Sequence, residues 1–260
     1  MKTPPLDSPY QLKYPVVLVH GMGGRGSYGP VGYFYQLPGL FRGAKTRVHS
    51  PNLTGWQSIE RRAQRLREEI VQNFPDSPVH VIAHSMGGLD ARYAISRLGM
   101  GERIASLTTI GTPHQGTPVA DLALGIIPSS AQRLAERILN QMGWTTEGIR
   151  QVSRDHHRQS LSELLPMDPR VAYYSVSSVI PRREQRKRSL PVFWFTEPLL
   201  RSIEGENDGL IPETSAKYGL YLGSFDGDHY GQIGQLLGRS RGLKYLDLYA
   251  AISRRLRSDF

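Results

Sequence analysis

Short, wholly apolar runs alternate with stretches of helical spacing through the first half of the chain. Val16-Val17-Leu18-Val19 is apolar and β-branched and runs into His20-Gly21-Met22-Gly23-Gly24, which predicts a buried parallel strand ending in a glycine-rich turn. Lys45 to Ser50 reads as a second strand. From Ser58 to Phe74, the positions Ile59, Ala63, Leu66, Ile70 and Val71 recur at helical spacing until Pro75 ends the run. Val79 to Ala83 and Arg103 to Ile110 are two further strands, the first followed by a helix-like stretch from Gly88 to Ala94, the second closed by Gly111-Thr112-Pro113. This regular alternation predicts an α/β fold: a mostly parallel central sheet with helices on both faces.

Between about 118 and 168 the alternation is interrupted by two amphipathic segments, one carrying Val119, Leu122, Ala123, Ile126 and Ile127, the other Leu134, Ile138, Leu139 and Met142. Helices inserted at this point would form a cap or lid; the alternative is that their apolar faces are core. Val171 to Val179 resumes the sheet. Phe193-Trp194-Phe195 fits either a strand or the start of a buried helix. Ile211-Pro212 and Tyr218 to Leu222 follow, and Leu243 to Leu256 reads as a closing helix. The expected organisation is one domain over 1–260 with the cap inserted in it, since 260 residues suffice for a two-sided core.

Composition narrows the chemistry. With no cysteine, disulfides, thiolate metal sites and cysteine nucleophiles are excluded. The formal net charge of +9 predicts attraction to anionic surfaces. Much of that charge is local, in Arg182, Arg183, Arg186, Lys187 and Arg188 and in Arg254, Arg255 and Arg257. No aromatics interleave the first run, which argues against nucleic acid and leaves a solvated loop or an anionic lipid surface. Met1 to Pro5 lacks the apolar run of a signal peptide, so the expected location is the cytoplasm, or the outside by a leaderless route or after removal of a leader. The oligomeric state is not legible.

One pentapeptide carries the most chemistry. Ala83-His84-Ser85-Met86-Gly87 lies between a strand and a helix, where a G-x-S-x-G elbow holds a serine in a strained turn above a sheet. Ala83 replaces the first glycine, and a small side chain suffices for close strand and helix approach. Ser85 is therefore the candidate nucleophile, and it needs a base and a group to orient that base.

Of the histidines beyond the elbow, His156 and His157 fall in the expected cap and His114 comes too early. His229, in the acidic and flexible-looking turn Asp226-Gly227-Asp228-His229, lies late in the chain as a base should. For the acid, Asp208 in Asn207-Asp208-Gly209 is the natural choice, with Glu206 and Asp228 as rivals. Two backbone N–H groups suit a developing oxyanion: that of Met86, at a helix start, and that of Met22, in the turn after the first strand. Gly21 to Gly26 does not complete a dinucleotide fingerprint.

These blocks, with Tyr14 to Met22, Gly111-Thr112-Pro113-His114-Gln115-Gly116-Thr117 and Gln235-Leu236-Leu237-Gly238, resemble the bacterial true lipases of the α/β-hydrolase superfamily, in the subgroup without a disulfide. The resemblance implies a serine hydrolase of lipid carboxylic esters with Ser85, Asp208 and His229 as triad. His20 and Gly21 would shape the oxyanion turn, and Arg62 matches an arginine that braces it. The substrate partner would be a lipid or ester at an oil–water or membrane interface. No cofactor is implied. Calcium is weighed against by Gly231, which stands where many relatives carry a ligand aspartate, although Gln235 keeps another position of that pattern. Alternatives are a phospholipase or lipid acyltransferase at anionic membranes, and a non-catalytic lipid-binding relative.

Overall fold

A computed structural model describes residues 8–28, 31–54, 57–126, 133, 146–157, 165–184, 189–235 and 244–260. The second amphipathic segment, at 134–142, and the basic residues 186–188 lie outside this set.

Six parallel strands form the central sheet: β1 (Val16–Val19), β4 (Val48–His49), β5 (Val79–His84), β6 (Ile104–Ile110), β7 (Ala172–Val179) and β8 (Leu220–Asp226), in the order β4-β1-β5-β6-β7-β8. A separate antiparallel pair joins β2 (Ser27–Tyr28) to β3 (Val31–Gly32). Strands β1 and β5 are buried along their whole length because both faces of the sheet are covered there. Along β1, Val16 and Leu18 pack into one layer with helices α1 (Leu37–Gly43) and α7 (Tyr245–Asp259), while Val17 and Val19 pack into the other with α2 (Ile59–Asn73) and α3 (Gly87–Arg97). One residue of slip would exchange the two sets, so each layer fixes the register of the strand.

A third apolar cluster lies apart from those two layers. Met22 and Met86, the residues after the turns that close β1 and β5, pack with Val119 and Leu122 of α4 (Pro118–Ala123), Ile149 of α5 (Thr146–Gln151), and Phe193 and Leu200 of α6 (Phe193–Glu204). The first amphipathic segment thus buries Val119 and Leu122 against the turns, while Ile126 is exposed.

Two local expectations change, and one open alternative is resolved. The strand expected over 45–50 shrinks to Val48–His49, because Lys45 has a left-handed φ of 62° and Thr46 N–H turns back to the Phe41 carbonyl at 2.9 Å. Phe193-Trp194-Phe195 opens a helix, with Phe193 and Leu200 on its buried side. The acidic turn at 226–229 is not a loose surface loop: Asp228 and His229 are both buried, and Asp228 accepts the N–H groups of Leu190 at 2.8 Å and Gly231 at 2.7 Å.

Candidate active site

Ser85 sits at the end of β5 with a φ of +55°, a conformation that costs a non-glycine residue roughly 1–3 kcal/mol and persists only where neighbours enforce it. The enforcement is visible. Ser85 N–H donates to the Ile110 carbonyl at 2.9 Å, and its own carbonyl accepts Gly88 N–H at 3.1 Å and the Thr112 hydroxyl at 2.8 Å. Gly87 is required by close approach, since a Cβ there would lie 2.7 Å from the His20 carbonyl oxygen and 2.8 Å from that of Val19. The elbow therefore packs directly on the turn after β1.

That turn is braced from below. Arg62, fully buried on α2, donates from Nη2 to the His20 carbonyl at 2.8 Å and from Nε to Asp90 Oδ2 at 2.9 Å. The Gly21 carbonyl accepts His20 Nδ1–H at 2.8 Å, Gly24 N–H at 3.3 Å and, at 3.4 Å, Arg62 Nη2. In a trans peptide the carbonyl and the next N–H point opposite ways, so fixing the Gly21 oxygen fixes the Met22 N–H. Neither the Met22 nor the Met86 N–H has a backbone acceptor among the described residues. Burial, with Arg62 beside it, lowers the His20 pKa to about 3 and keeps the ring neutral, so its Nε2 can accept Leu53 N–H at 3.1 Å. Burial also lifts Asp90 to about 6, against the pull of Arg62.

His229 and Asp208 meet across the ends of β7 and β8. The imidazole Nδ1–H donates to Asp208 Oδ2 at 2.7 Å, and His229 N–H donates to the Asp208 carbonyl at 2.9 Å. Asp208 is saturated: Oδ1 accepts Leu210 and Ile211 N–H at 2.9 and 2.7 Å, and Oδ2 also accepts the Gln232 amide at 2.8 Å. With Nδ1 spent on Asp208, Nε2 of His229 is the nitrogen left for chemistry.

His84 ties this pair to the elbow. Its Nε2–H donates to the His229 carbonyl at 3.0 Å, so its Nδ1 accepts the Tyr33 hydroxyl at 2.8 Å, and its ring lies 4.5 Å from that of His229. Complete burial pushes the His84 pKa well below the usual imidazole value. Ser85, His229 and Asp208, distant in sequence, are thereby held at one end of the sheet.

The rivals are engaged elsewhere. Glu206 is exposed and ion-paired with Arg201, and Asp228 serves the backbone amides described above. His114 faces Thr109 and Arg92, and both ring nitrogens of His157 face carbonyls, those of His114 and Gln151. At the two positions weighed for calcium, Gly231 brings no side chain and Gln235 donates its amide to the Tyr33 carbonyl at 2.8 Å. Among the described residues no group of three or more His, Cys, Asp or Glu could hold a metal ion.

The sequence model of the Alpha/beta hydrolase family matches residues 16–244, from β1 to the start of the closing helix. The chain belongs to the alpha/beta hydrolase family. Similar proteins of this family include a triacylglycerol lipase of Vibrio cholerae, 35% identical over 124 residues that cover 46% of this chain and 39% of that protein. Triacylglycerol lipase 2 of Saccharomyces cerevisiae is 31% identical over 70% of this chain and 56% of its own length. The chain thus spans only about half the length of these relatives. A triacylglycerol lipase of Pseudomonas fragi is 26% identical over 97% of this chain and 99% of its own. The fold matches the mature form of a Bacillus licheniformis lipase with a TM-score of 0.69 at 20% identity, covering 96% of both chains.

Within this alpha/beta hydrolase site, three contributors escaped the sequence reading. His84 was visible only as the variable position of the elbow, Gln232 as one polar residue after a histidine, and Asp90 as a helix-surface carboxylate. Each acts through a partner far along the chain.

Proposed function

We propose that this chain hydrolyses carboxylic esters of lipids, with Ser85 as nucleophile, His229 as base and Asp208 as the group that orients it. One observation carries the reading: a strained serine at the strand end, with an Asp208-oriented imidazole tied beside it by His84. His229 Nε2 takes the Ser85 proton as Oγ attacks the ester carbonyl, and the electron pair moves onto the carbonyl oxygen. That oxyanion receives the Met22 and Met86 N–H groups. Collapse expels the alcohol, protonated by the imidazolium, and leaves an acyl-enzyme; water, deprotonated by the same nitrogen, then releases the acid and restores Ser85.

The lipid assignment is supported by the relatives' printed names. A phospholipase among the structural neighbours, PlaB of Legionella pneumophila, is 13% identical, which speaks to the fold alone. The test is direct. Ser85→Ala should leave the melting transition in place and reduce turnover of p-nitrophenyl esters by roughly 10⁴ to 10⁶ fold; turnover that survives the substitution removes the assignment. A series of esters from short to long acyl chains then separates esterase from lipase.

A further inference from the structure

Helix α6 is apolar on two faces, where an ordinary surface helix is apolar only on the one it buries. With successive residues turned by about 100°, Phe195, Pro198, Leu199, Ser202 and Ile203 share one face with Val192 at its start. That face carries no charge, and it is the outer one: Phe195 is 60% exposed and Ile203 39%. The inner face, with Phe193, Thr196 and Leu200, is buried. The charged side chains of the helix lie off the outer face and are matched, Glu197 and Glu206 with Arg201, and Glu204 with Arg154. A soluble helix normally turns its charged residues outward, and an outward apolar stripe marks a contact surface.

The rim of this stripe is basic. Arg182 and Arg183 are exposed in the turn before the helix, and Arg182 lines one cleft with Pro198 and Ser202 of α6. In the sequence the run continues through Arg186, Lys187 and Arg188. An apolar stripe edged by arginines complements a surface whose interior is hydrocarbon and whose headgroups are negative.

We propose that α6 is the element by which this chain lies on an anionic lipid bilayer, Phe195 and Ile203 entering the acyl boundary and Arg182 and Arg183 meeting headgroup phosphates. This goes beyond the proposed hydrolysis and does not depend on it. The placement also has a consequence for the site. The Phe193 ring lies 5.9 Å from that of Tyr230, next to His229, and packs on Gly209, next to Asp208, where a Cβ would come within 2.6 Å of it. Docking through the outer face of α6 would therefore leave the proposed site behind one helix, roughly 10 Å from the lipid-facing side.

The test uses the full chain carrying Ser85→Ala, so that lipids survive the measurement. Sedimentation with phosphatidylglycerol-containing vesicles at low salt should pellet the protein, and pure phosphatidylcholine should pellet much less. Phe195→Asp with Ile203→Asp should weaken vesicle partition by about tenfold or more. Arg182→Glu with Arg183→Glu should lower binding to the anionic vesicles and leave the small phosphatidylcholine binding unchanged. Thermal unfolding of each variant confirms that it is folded, which is expected because these side chains are exposed. The proposal is overturned by a parent chain that stays in the supernatant with anionic vesicles, or by folded aspartate variants that partition as before. It is equally overturned if the parent sediments as a dimer that Phe195→Asp dissolves, the stripe then being a contact between two copies. Loss of ester turnover alone, with vesicle binding intact, would bear on the hydrolase reading and not on this one.

Discussion

His84 Nε2 lies 3.0 Å from the carbonyl oxygen of His229, so the residue before the elbow serine holds the backbone of the histidine loop. In a neutral ring with Nε2 donating, Nδ1 accepts the Tyr33 hydroxyl. Burial provides that neutrality. Replacing His84 by alanine would leave the His229 carbonyl and the Tyr33 hydroxyl short of a partner in a buried place, at a cost of about 1–3 kcal/mol each at most. The expected outcome is a lower urea midpoint together with reduced kcat and little change in KM. An unaltered kcat in a folded His84→Ala chain would show that the bond does not position the imidazole.

Asp208 and Gln232 give a second prediction. Asp208→Asn keeps the shape but brings an NH₂ group against a site where all four present partners are donors, two on each oxygen, so the two donors that face it lose their acceptor, and at Oδ2 the imidazole must change tautomer to keep its bond. The loss in kcat should be roughly 10⁴ fold, the scale seen when a triad acid is converted to its amide. Gln232→Ala removes only one donor from Oδ2, and its expected effect is smaller, about tenfold, from an imidazole less firmly held. Steady-state kinetics of the two variants should preserve that ranking.

The fold was legible where the signal is local. Val16–Val19 and Val79–His84 announce themselves as buried strands because both faces are covered, and the serine turn is legible because strand, small residues and helix follow one another within a few positions. What stayed hidden is set by distant partners. Phe193 is apolar in a way that fits strand or helix, and packing against Tyr230 and Gly209 is recorded nowhere in its own neighbourhood. Asp226-Gly227-Asp228-His229 has the composition of a solvated turn, yet Asp228 is consumed by two backbone amides and drawn inside. Burial raises the pKa of that carboxyl, the reverse of what a surface turn would do.

The Arg62–Asp90 pair, both side chains at 0% exposure, supports the turn that carries Met22. Removing one partner of a buried pair leaves the other charged and unmatched, which typically costs about 3–5 kcal/mol. Arg62→Ala should therefore lower the melting temperature strongly and, in chains that remain folded, lower kcat by loosening the His20 and Gly21 carbonyls. Asp90→Asn separates the two effects. It keeps an acceptor for Arg62 Nε and leaves the bond from Nη2 to His20 in place, so kcat should stay near that of the parent, while the buried guanidinium, left without a counter-charge, still lowers the melting temperature.

Acid should unfold this chain early, and the reason lies in its buried imidazoles. Burial lowers the pKa of His20 to about 3 and of His80 and His157 to about 4, and it pushes His84 and His114 well below the ordinary value. In the unfolded chain each titrates near 6.5. Below that pH the unfolded state binds protons that the folded state refuses, so stability present at neutral pH is lost as pH falls, by about 1.4 kcal/mol per pH unit for each ring. Asp90, raised to about 6, and Asp228, also raised, act in the opposite sense, since the folded state takes up their protons first on acidification. Five rings against two carboxyls leave a net loss of several kcal/mol between about pH 6.5 and pH 5, comparable with the whole stability of a typical domain. Urea midpoints measured across that interval should fall steeply, with the slope reduced in His80→Asn, whose ring bonds Ser106 away from the serine turn. Midpoints that stay level from pH 7 to pH 5 would mean that these rings are protonated inside the fold.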